Sequence, residues 1–341
     1  MIKVLSLFSG IGAFEKALDH IGLDWELVNY CEIDRWASLS YSMVNQCSES
    51  LNLRDVRAVT ADSVRDRAVD LITYGFPCQD ISIAGKQQGF VNDSGESTRS
   101  GLFFEALRII KELRPRYAIA ENVKALTSTK FKNEFATVLS SLEEAGYNNY
   151  WRVLNAKDYG IPQNRERIFI VSIRKDLDTH EFAFPDKLPL TKTLKDMLEP
   201  KVDEKYYINN ERAKNLIEQI KEKYIITDST PVDGTIFDPK VKDICNCISA
   251  RYDAGIQNQK SIGCMVIEPS PRKGLKVNDM EFRIRKLTPK ECFRLMGFLD
   301  EEFDRVHGIS NSQLYKQAGN SIVVNVLEAL LMQLFWKDIL F

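Results

Sequence analysis

The 341-residue sequence predicts an α/β protein, with a Rossmann-like, mostly parallel sheet and a second, smaller, irregular β-rich domain. Short apolar runs alternate with amphipathic segments over residues 2–190. From about 188 to 281 this pattern weakens, and prolines and glycines become frequent. A helical apolar stripe returns at 321–335. We therefore predict a larger domain formed by 1–190 plus 305–341, and a second domain formed by 191–304.

The elements of the larger domain follow one another along the chain. Its strands are short apolar runs bounded by turns, and they are predicted at 4–7, 27–30, 71–74, 117–120 and 168–173. Its helices show apolar residues at helical spacing, and they are predicted at 14–22, 36–45, 102–113 and 131–145. The stripe at 321–335 is expected to pack on this domain, and helices are expected on both faces of the sheet.

Composition and charge limit the class of protein. Hydrophobic residues make up 44% and charged residues 28% of the chain, as in folded proteins, and the net charge of -2 neither indicates nor excludes DNA. The start of the chain lacks a signal-peptide pattern, and no apolar run approaches the length of a membrane span, so we predict a cytoplasmic protein with no membrane partner. The seven cysteines lack the spacing of a zinc site or a disulfide framework, which predicts free thiols and no metal.

The segment 75–79, with the sequence GFPCQ, places a thiol where chemistry is expected. It follows the apolar run 69–74, which predicts a buried strand, and reacting groups in α/β sheets gather beyond the carboxyl ends of the strands. Cys78 is therefore a candidate nucleophile. A single cysteine after proline is more often an inert buried thiol, so its function depends on the rest of the chain.

Small and acidic residues follow the first two predicted strands. Gly10 and Gly12 would let the backbone come close to a bound ligand. Glu32 stands where an acidic residue accepts hydrogen bonds from ribose hydroxyls, although a solvated surface acid is the alternative. Either Asp55 or Asp62 could add a polar contact near the third strand. Together these residues predict a nucleotide-type crevice.

Charged residues flank the two later strands. Glu121 directly follows the predicted strand 117–120 and is expected on the same sheet edge as Cys78, with a helix N-cap as the structural alternative. Arg165 and Arg167 precede the strand 168–173, and alternation would direct both side chains to one face. Two guanidiniums on one face favour an anionic or carbonyl-rich partner.

Six segments, in order along the chain, closely resemble the motifs of cytosine-C5 DNA methyltransferases of bacterial or phage type. They are residues 8–12 (FSGIG), 75–79 (GFPCQ), 121–123 (ENV), 163–167 (QNRER), 285–292 (RKLTPKEC) and 319–321 (GNS). The resemblance covers nearly the whole chain apart from about 190–280. It implies a methyltransferase sheet that binds S-adenosylmethionine, and methyl transfer to C5 of a cytosine flipped out of double-stranded DNA at a specific short sequence.

The resemblance implies a role for each residue of the catalytic motifs. Cys78 would add to C6 of the cytosine and so make C5 a nucleophile. Because free cysteine is mostly thiol near neutrality, its thiolate needs stabilisation, for which Arg165 is the candidate. Glu121 would hold a proton toward N3, and Arg167 would donate to O2.

The cofactor implied by the resemblance is S-adenosylmethionine. Phe8 would pack on its adenine, Glu32 would bind the ribose, and Asp55 is preferred to Asp62 for the adenine amino group. Asn320 and Ser321 would close the methionine end. The remaining cofactor-binding residues implied by the motifs are Gly10, Gly12, Ile33 and Pro77.

The DNA contacts are expected from a loop and from the second domain. Gln79 follows the nucleophile, and Arg99 lies in the polar segment 80–101, which is expected to close over the extruded base. This loop departs from the common pattern, because Ile81 replaces a frequent Phe and 93–99 is longer than in compact relatives. The region of least resemblance, about 191–281, is expected to recognise the target sequence, and Arg251 is its candidate for a base or phosphate contact.

Two other functions share some of these features. An RNA (tRNA) cytosine-C5 methyltransferase would use the same motifs, but that branch carries a Cys-Phe-Thr signature that this chain lacks. A non-catalytic DNA-binding relative would have a damaged site, whereas every motif residue is present here. The expected partner is double-stranded DNA bound by a monomer. The sequence leaves open whether a cognate restriction endonuclease acts separately or whether the enzyme is an orphan.

Overall fold

The computed structural model describes residues 1–77, 99–233, 240–254, 264–269 and 281–340, excluding the side chains of 99, 100, 254 and 336–340. The chain forms two compact units. The first contains Met1–Asn155, Glu166–Asp186 and Val324–Phe341, and the second contains Ala156–Arg165 and Lys187–Val323. These units differ from the predicted domains by a shift of the boundary at 187–190 and by two larger segments, 156–165 and 305–323. Both segments lie in the second unit, because one pairs there as a strand and the other contributes a helix that packs there.

The elements agree with the sequence predictions over most of the first unit. In chain order, the strands are β1 (Ile2–Leu7), β2 (Trp25–Cys31), β3 (Leu71–Tyr74), β4 (Tyr117–Val123), β5 (Tyr147–Asn155), β6 (Gln163–Asn164), β7 (Glu166–Arg174), β8 (Tyr207–Ile208), β9 (Thr230–Asp233), β10 (Cys245–Asn246), β11 (Cys264–Pro269) and β12 (Phe282–Lys286). The α-helices are α1 (Ala13–His20), α2 (Arg35–Val44), α3 (Phe103–Leu113), α4 (Lys132–Glu144), α5 (Glu211–Lys221), α6 (Pro289–Arg294), α7 (Asp300–Asp304), α8 (Asn311–Asn320) and α9 (Val324–Leu340).

A six-stranded sheet, in the order β2-β1-β3-β4-β7-β5, forms the centre of the first unit. The strands β2, β1, β3 and β4 are parallel, whereas β7 runs antiparallel to both β4 and β5. This confirms the Rossmann-like class. All four residues of β3 are buried, and so are all residues of β1 except Lys3, as expected for inner strands of a sheet whose two faces are covered.

The apolar stripe near the end of the chain packs in the first unit. α9 contacts α1, and His20 Nδ1 lies 2.6 Å from Glu328 Oε1 where the two helices meet. The helical stretch 311–335, which α8 and α9 share, has the length and hydropathy of a membrane span, so the prediction that no stretch approaches that length was wrong. The side chains at the apolar positions of α9 are core residues: Val326, Leu327, Leu330, Leu331 and Phe335 are buried.

The second unit contains more regular structure than its prolines and glycines predict. A four-stranded antiparallel sheet runs in the order β8-β12-β11-β9. The apolar face of α5 packs on it, so that Ala213, Leu216 and Ile220 share a core with Met265 and Ile284. A two-stranded parallel pairing of β6 with β10 lies in the same unit.

A buried ion pair fixes β12 in the second unit. The Arg285 side chain has no solvent exposure, and its guanidinium donates two hydrogen bonds to Glu291, at 2.9 and 3.0 Å. Its Nε donates to Glu268 Oε1 at 2.8 Å. The two carboxylates raise the pKa of Arg285 against the effect of burial. Arg285 is therefore an internal side chain that supports the fold of the second unit.

A buried carboxyl group in α1 makes the stability of the first unit depend on pH. Glu15 has no solvent exposure, and burial raises its pKa, against opposing effects of the Ser6 and Tyr41 hydroxyls. Because the pKa of the folded state is raised, this group's stabilisation is full below about pH 4.3 and is lost as the pH rises through the folded pKa. We expect Glu15→Gln to melt close to the wild type at pH 5 and above it at pH 8, as measured by circular dichroism. The exposed Glu144→Gln is the matched control, and an equal difference at both pH values would contradict the assignment.

Candidate active site

The ends of the parallel strands bring the predicted cofactor and catalytic residues of the first unit to one edge. In register, Leu7 of β1 lies beside Cys31 of β2 and Tyr74 of β3, and Tyr74 lies beside Ala120 of β4. The residue that comes next in the chain after each of these four paired positions therefore lies at this edge. These residues are Phe8, Glu32, Gly75 and Glu121.

The turn between β1 and α1 is built for close approach. Phe8, Gly10 and Gly12 all have positive φ angles, of 53°, 57° and 84°. A Cβ on Gly10 would meet no atom within 4 Å, whereas one on Gly12 would lie 2.1 Å from Asn45 Nδ2. The space above Gly10 is therefore open to a ligand, and Gly12 is required where the turn packs against α2.

Glu32 is fixed where β2 ends. Its Oε2 accepts the Gly10 N–H at 2.9 Å, and its Oε1 accepts the Asp34 N–H at 2.7 Å. Asn52 holds the backbone of Glu32 from both sides, donating to its carbonyl at 2.9 Å and accepting from its N–H at 3.0 Å. No motif or spacing in the sequence indicates this role of Asn52. Ile33, beside Glu32, is 66% exposed and presents an apolar surface.

Asp55 lies near the same strand end and pairs with a neighbour. It caps the 3-10 turn Val56–Ala58, and both its carboxylate oxygens bind the guanidinium of Arg57, with Oδ2 2.6 Å from an Arg57 terminal nitrogen. The Arg57 hydrogen bonds lower the pKa of Asp55. Burial raises the pKa of the Cys31 thiol at the end of β2 to about 12, and the negative charge of Asp55 adds to this effect. Asp62, the alternative, is 88% exposed and pairs with Arg67.

A carboxylate of β4 and a guanidinium of β7 meet beyond the point where β3 ends. Arg167 Nε lies 3.1 Å from Glu121 Oε1, and the two side chains are 18% and 12% exposed. Next to Glu121, the buried Asn122 donates its side-chain N–H to the Phe76 carbonyl at 3.1 Å. Asn122 thereby ties the end of β4 to the segment that leads through Pro77, which is partly buried, toward position 78. Cys78 and Gln79 lie outside the described residues.

Arg165 is placed differently from Arg167. It belongs to the second unit, it is 3% exposed, and its terminal nitrogens donate to the carbonyls of Ile248, Gly319 and Ser321. The predicted alternation of Arg165 and Arg167 along one strand was wrong, because β6 ends at Asn164 and β7 begins at Glu166.

The other predicted residues of the second unit lie at its ends and loops. Asn320 is exposed at the end of α8, and Ser321 is buried just beyond it. Arg251 is exposed, as a DNA contact requires. In the first unit, the backbone of Arg99 begins a 3-10 turn, Arg99–Leu102, and the Arg99 side chain lies outside the described part of the structure.

Comparison with known proteins agrees with this arrangement. The family described as C-5 cytosine-specific DNA methylase matches residues 2–336. The orphan methyltransferase M.SPRI of Bacillus phage SPR is 32% identical over 98% of this chain and 97% of its own length. The type II methyltransferase M.HhaI of Haemophilus parahaemolyticus is 34% identical over 96% of this chain and 92% of its own.

Solved structures show the same fold. A DNMT2 protein of Spodoptera frugiperda superposes with a TM-score of 0.72 at 24% identity, covering 98% of this chain and all of the other. The match over nearly the whole chain favours the DNA enzyme over the RNA enzyme and over a non-catalytic relative. The chain belongs to the C-5 cytosine-specific DNA methylase family and is a DNA cytosine-5 methyltransferase with S-adenosylmethionine as its methyl donor.

Proposed function

We propose that this enzyme methylates cytosine within one short sequence of double-stranded DNA, acting as a monomer, with Glu121 and Arg167 binding the target base. The observation that carries the proposal is the 3.1 Å pair of Arg167 and Glu121 at the sheet edge that leads to Cys78. Cytosine presents two adjacent acceptors, N3 and O2, on one edge. A protonated carboxyl group can donate to N3, and a guanidinium beside it can donate to O2.

The residues near β1 and β2 fit the methyl donor. When bound, S-adenosylmethionine supplies an electrophilic methyl group for C5. The open space over Gly10 admits a ligand close to the backbone, and Glu32 offers fixed carboxylate oxygens to ribose hydroxyls. Phe8, Ile33 and Pro77 are the proposed apolar contacts, and Asp55 is the proposed acceptor for the adenine amino group. Asn320 and Ser321 are proposed at the methionine end.

The side chains act on the base in a defined order. The Cys78 thiolate forms a bond to C6, and the electrons of the C5–C6 double bond become available at C5. Glu121 gives a proton to N3 as charge develops there, and Arg167 donates to O2. After C5 is methylated, its proton passes to water, the C5–C6 double bond re-forms as the thiolate leaves C6, and the N3 proton returns to the Glu121 carboxylate. Stabilisation of that thiolate by Arg165 remains a prediction.

Recognition of the DNA sequence is assigned to the second unit and to the segment after Cys78. Arg251 is exposed, as a residue that contacts a base or a phosphate must be. Gln79 and Arg99 are proposed as further DNA contacts. Relatives include both an orphan phage enzyme and type II methyltransferases. We propose that the enzyme works separately from any cognate endonuclease, in the cytoplasm where such DNA is found.

The test is bisulfite sequencing of duplex DNA incubated with the purified protein and S-adenosylmethionine. We expect the cytosine of one short sequence to become resistant to conversion with the wild type and to remain fully convertible with Cys78→Ser. Conversion of every cytosine with both proteins would reject the DNA substrate. The same assay on transfer RNA would then test the RNA alternative.

A further inference from the structure

The guanidinium of Arg165 joins two segments that are far apart in the sequence. One terminal nitrogen donates to the Ile248 carbonyl at 2.9 Å and to Cys247 Sγ at 3.3 Å. The other donates to the Gly319 carbonyl at 2.9 Å and to the Ser321 carbonyl at 2.6 Å. One buried side chain thus holds the end of strand β10 and the turn after α8. Only the planar, forked guanidinium can serve these acceptors together, because lysine carries a single donor nitrogen.

The same two segments also touch directly, backbone against backbone. A Cβ added to Gly319 would lie 2.2 Å from the Ala250 nitrogen and 2.2 Å from the Ser249 carbonyl carbon. Since backbone atoms cannot rotate away, any side chain at this position must push the 249–250 segment aside. Glycine is therefore needed at position 319 because the 249–250 segment lies so close. The helical backbone at this position does not itself require a glycine.

The loop beyond this contact is anchored to the same helix. The Tyr252 ring packs against that of Tyr315 in α8, with ring centroids 5.4 Å apart and planes tilted by 46°, and the Tyr252 hydroxyl donates to the Cys264 carbonyl at 2.6 Å. The Leu287 N–H donates to the same hydroxyl at 2.9 Å. Arg251 thus projects from a segment held on both sides, by the Gly319 contact before it and by Tyr252 after it.

We propose that Arg165 is a positioning residue that locks the Arg251 segment, 249–254, to the turn 319–321, so that one rigid support carries a DNA contact and a cofactor contact. The proposal rests on the function proposed above, in which Arg251 meets DNA and Asn320 and Ser321 meet S-adenosylmethionine. A shared support links the two binding events because its two parts move together. A ligand that fixes the turn 319–321 therefore also fixes the segment 249–254, which meets the other ligand. The linkage is reciprocal by thermodynamic necessity.

The test measures this linkage by binding alone. The affinity of a duplex carrying the mapped target site is measured by fluorescence anisotropy with and without S-adenosylhomocysteine, a non-reactive analogue of the donor. We expect the analogue to tighten DNA binding at least about 5-fold in the wild type, the lower end of ordinary coupling. In Arg165→Lys and in Gly319→Ala the ratio is expected to fall close to one. Alanine has a higher helix propensity than glycine, by about 1 kcal/mol. If Gly319→Ala loses the effect of the analogue on DNA affinity, a weaker helix is therefore not the cause.

A second buried arginine of the same unit separates positioning from general loss of stability. Arg285→Lys disturbs the ion pair with Glu268 and Glu291, yet leaves the Gly319 contact and the Arg165 hydrogen bonds in place. It is expected to melt at a lower temperature and to keep the wild-type ratio. A wild-type ratio in both Arg165→Lys and Gly319→Ala would overturn the proposal. A ratio of one in a wild-type preparation that methylates DNA would also overturn it, while leaving the proposed function standing.

Discussion

Glu121→Gln is expected to lower kcat for DNA methylation by about 10²- to 10⁴-fold, the usual contribution of a general acid. Glutamine has nearly the same shape and keeps an acceptor for the hydrogen bond from Arg167 Nε, which lies 3.1 Å from the carboxylate in the wild type. It cannot deliver a proton to N3 of the base. The loss should therefore fall on the chemical step, with DNA affinity changed far less. Single-turnover transfer of a radiolabelled methyl group measures that step directly.

Glu166→Gln provides the matched control for Glu121→Gln. Glu166 is 41% exposed and pairs on the surface with Lys124 at 2.9 Å, one residue before Arg167 in the chain. Removing its charge changes the local electrostatics without touching the Glu121 side chain, and the rate is expected to stay within about 3-fold of the wild type, consistent with the small contribution of an exposed pair. If Glu121→Gln transferred methyl groups as fast as Glu166→Gln, Glu121 would not be the proton donor.

Glu291→Gln is expected to destabilise the second unit by about 3 to 5 kcal/mol, because it leaves the buried charge of Arg285 poorly compensated. Glu291 has no solvent exposure and binds Arg285 through both carboxylate oxygens. It also accepts the N–H groups of Glu199 and Thr288, so one substitution disturbs four hydrogen bonds at once. For a unit of this size the melting temperature should fall by about 6 to 20 °C, as measured by differential scanning calorimetry.

Glu204→Gln is the comparison that separates burial from charge. Glu204 also pairs with an arginine of β12, Arg283, but it is 79% exposed. Its removal should cost at most about 1 kcal/mol. Equal melting temperatures for the Glu291 and Glu204 variants would show that the internal ion pair contributes no more than a surface pair.

The sequence predicted the elements of the first unit well where apolar periodicity was strong. The strand at 71–74 was predicted with the bounds that the structure shows. Strand β5 was missed because it carries Asn148 and Asn149 and lies at the sheet edge, where packing is one-sided and the pattern is weak. In the second unit the apolar run 224–227 has the composition of a strand, but Ile225 is 88% exposed there and the strand begins at Thr230. Ile226 of the same run is buried in the core with α5, so this run packs one residue inward without pairing as a strand.

The residues of the site also fall into those that the sequence could place and those that it could not. The residues at the ends of β1, β2 and β4 could be placed from the sequence, because parallel strands end at a common edge and their motifs are local. Partners supplied from elsewhere could not be placed: no spacing signals that Asn52 holds Glu32 or that Arg57 occupies Asp55. The contrast between Arg165 and Arg167 was also hidden, since it depends on which unit each residue joins.

The packing of α9 on α1 has a consequence for how the protein is made. α1 ends at His20 and α9 begins at Val324, with the whole second unit synthesised between them. At ordinary translation rates the ribosome needs on the order of 15 to 60 seconds to cover that interval. During this time the surface of α1 that receives Glu328 and its neighbours waits uncovered. The first unit can therefore complete its packing only after the whole second unit has been synthesised, so its early part stays incomplete for longer than a domain that is continuous in the sequence would.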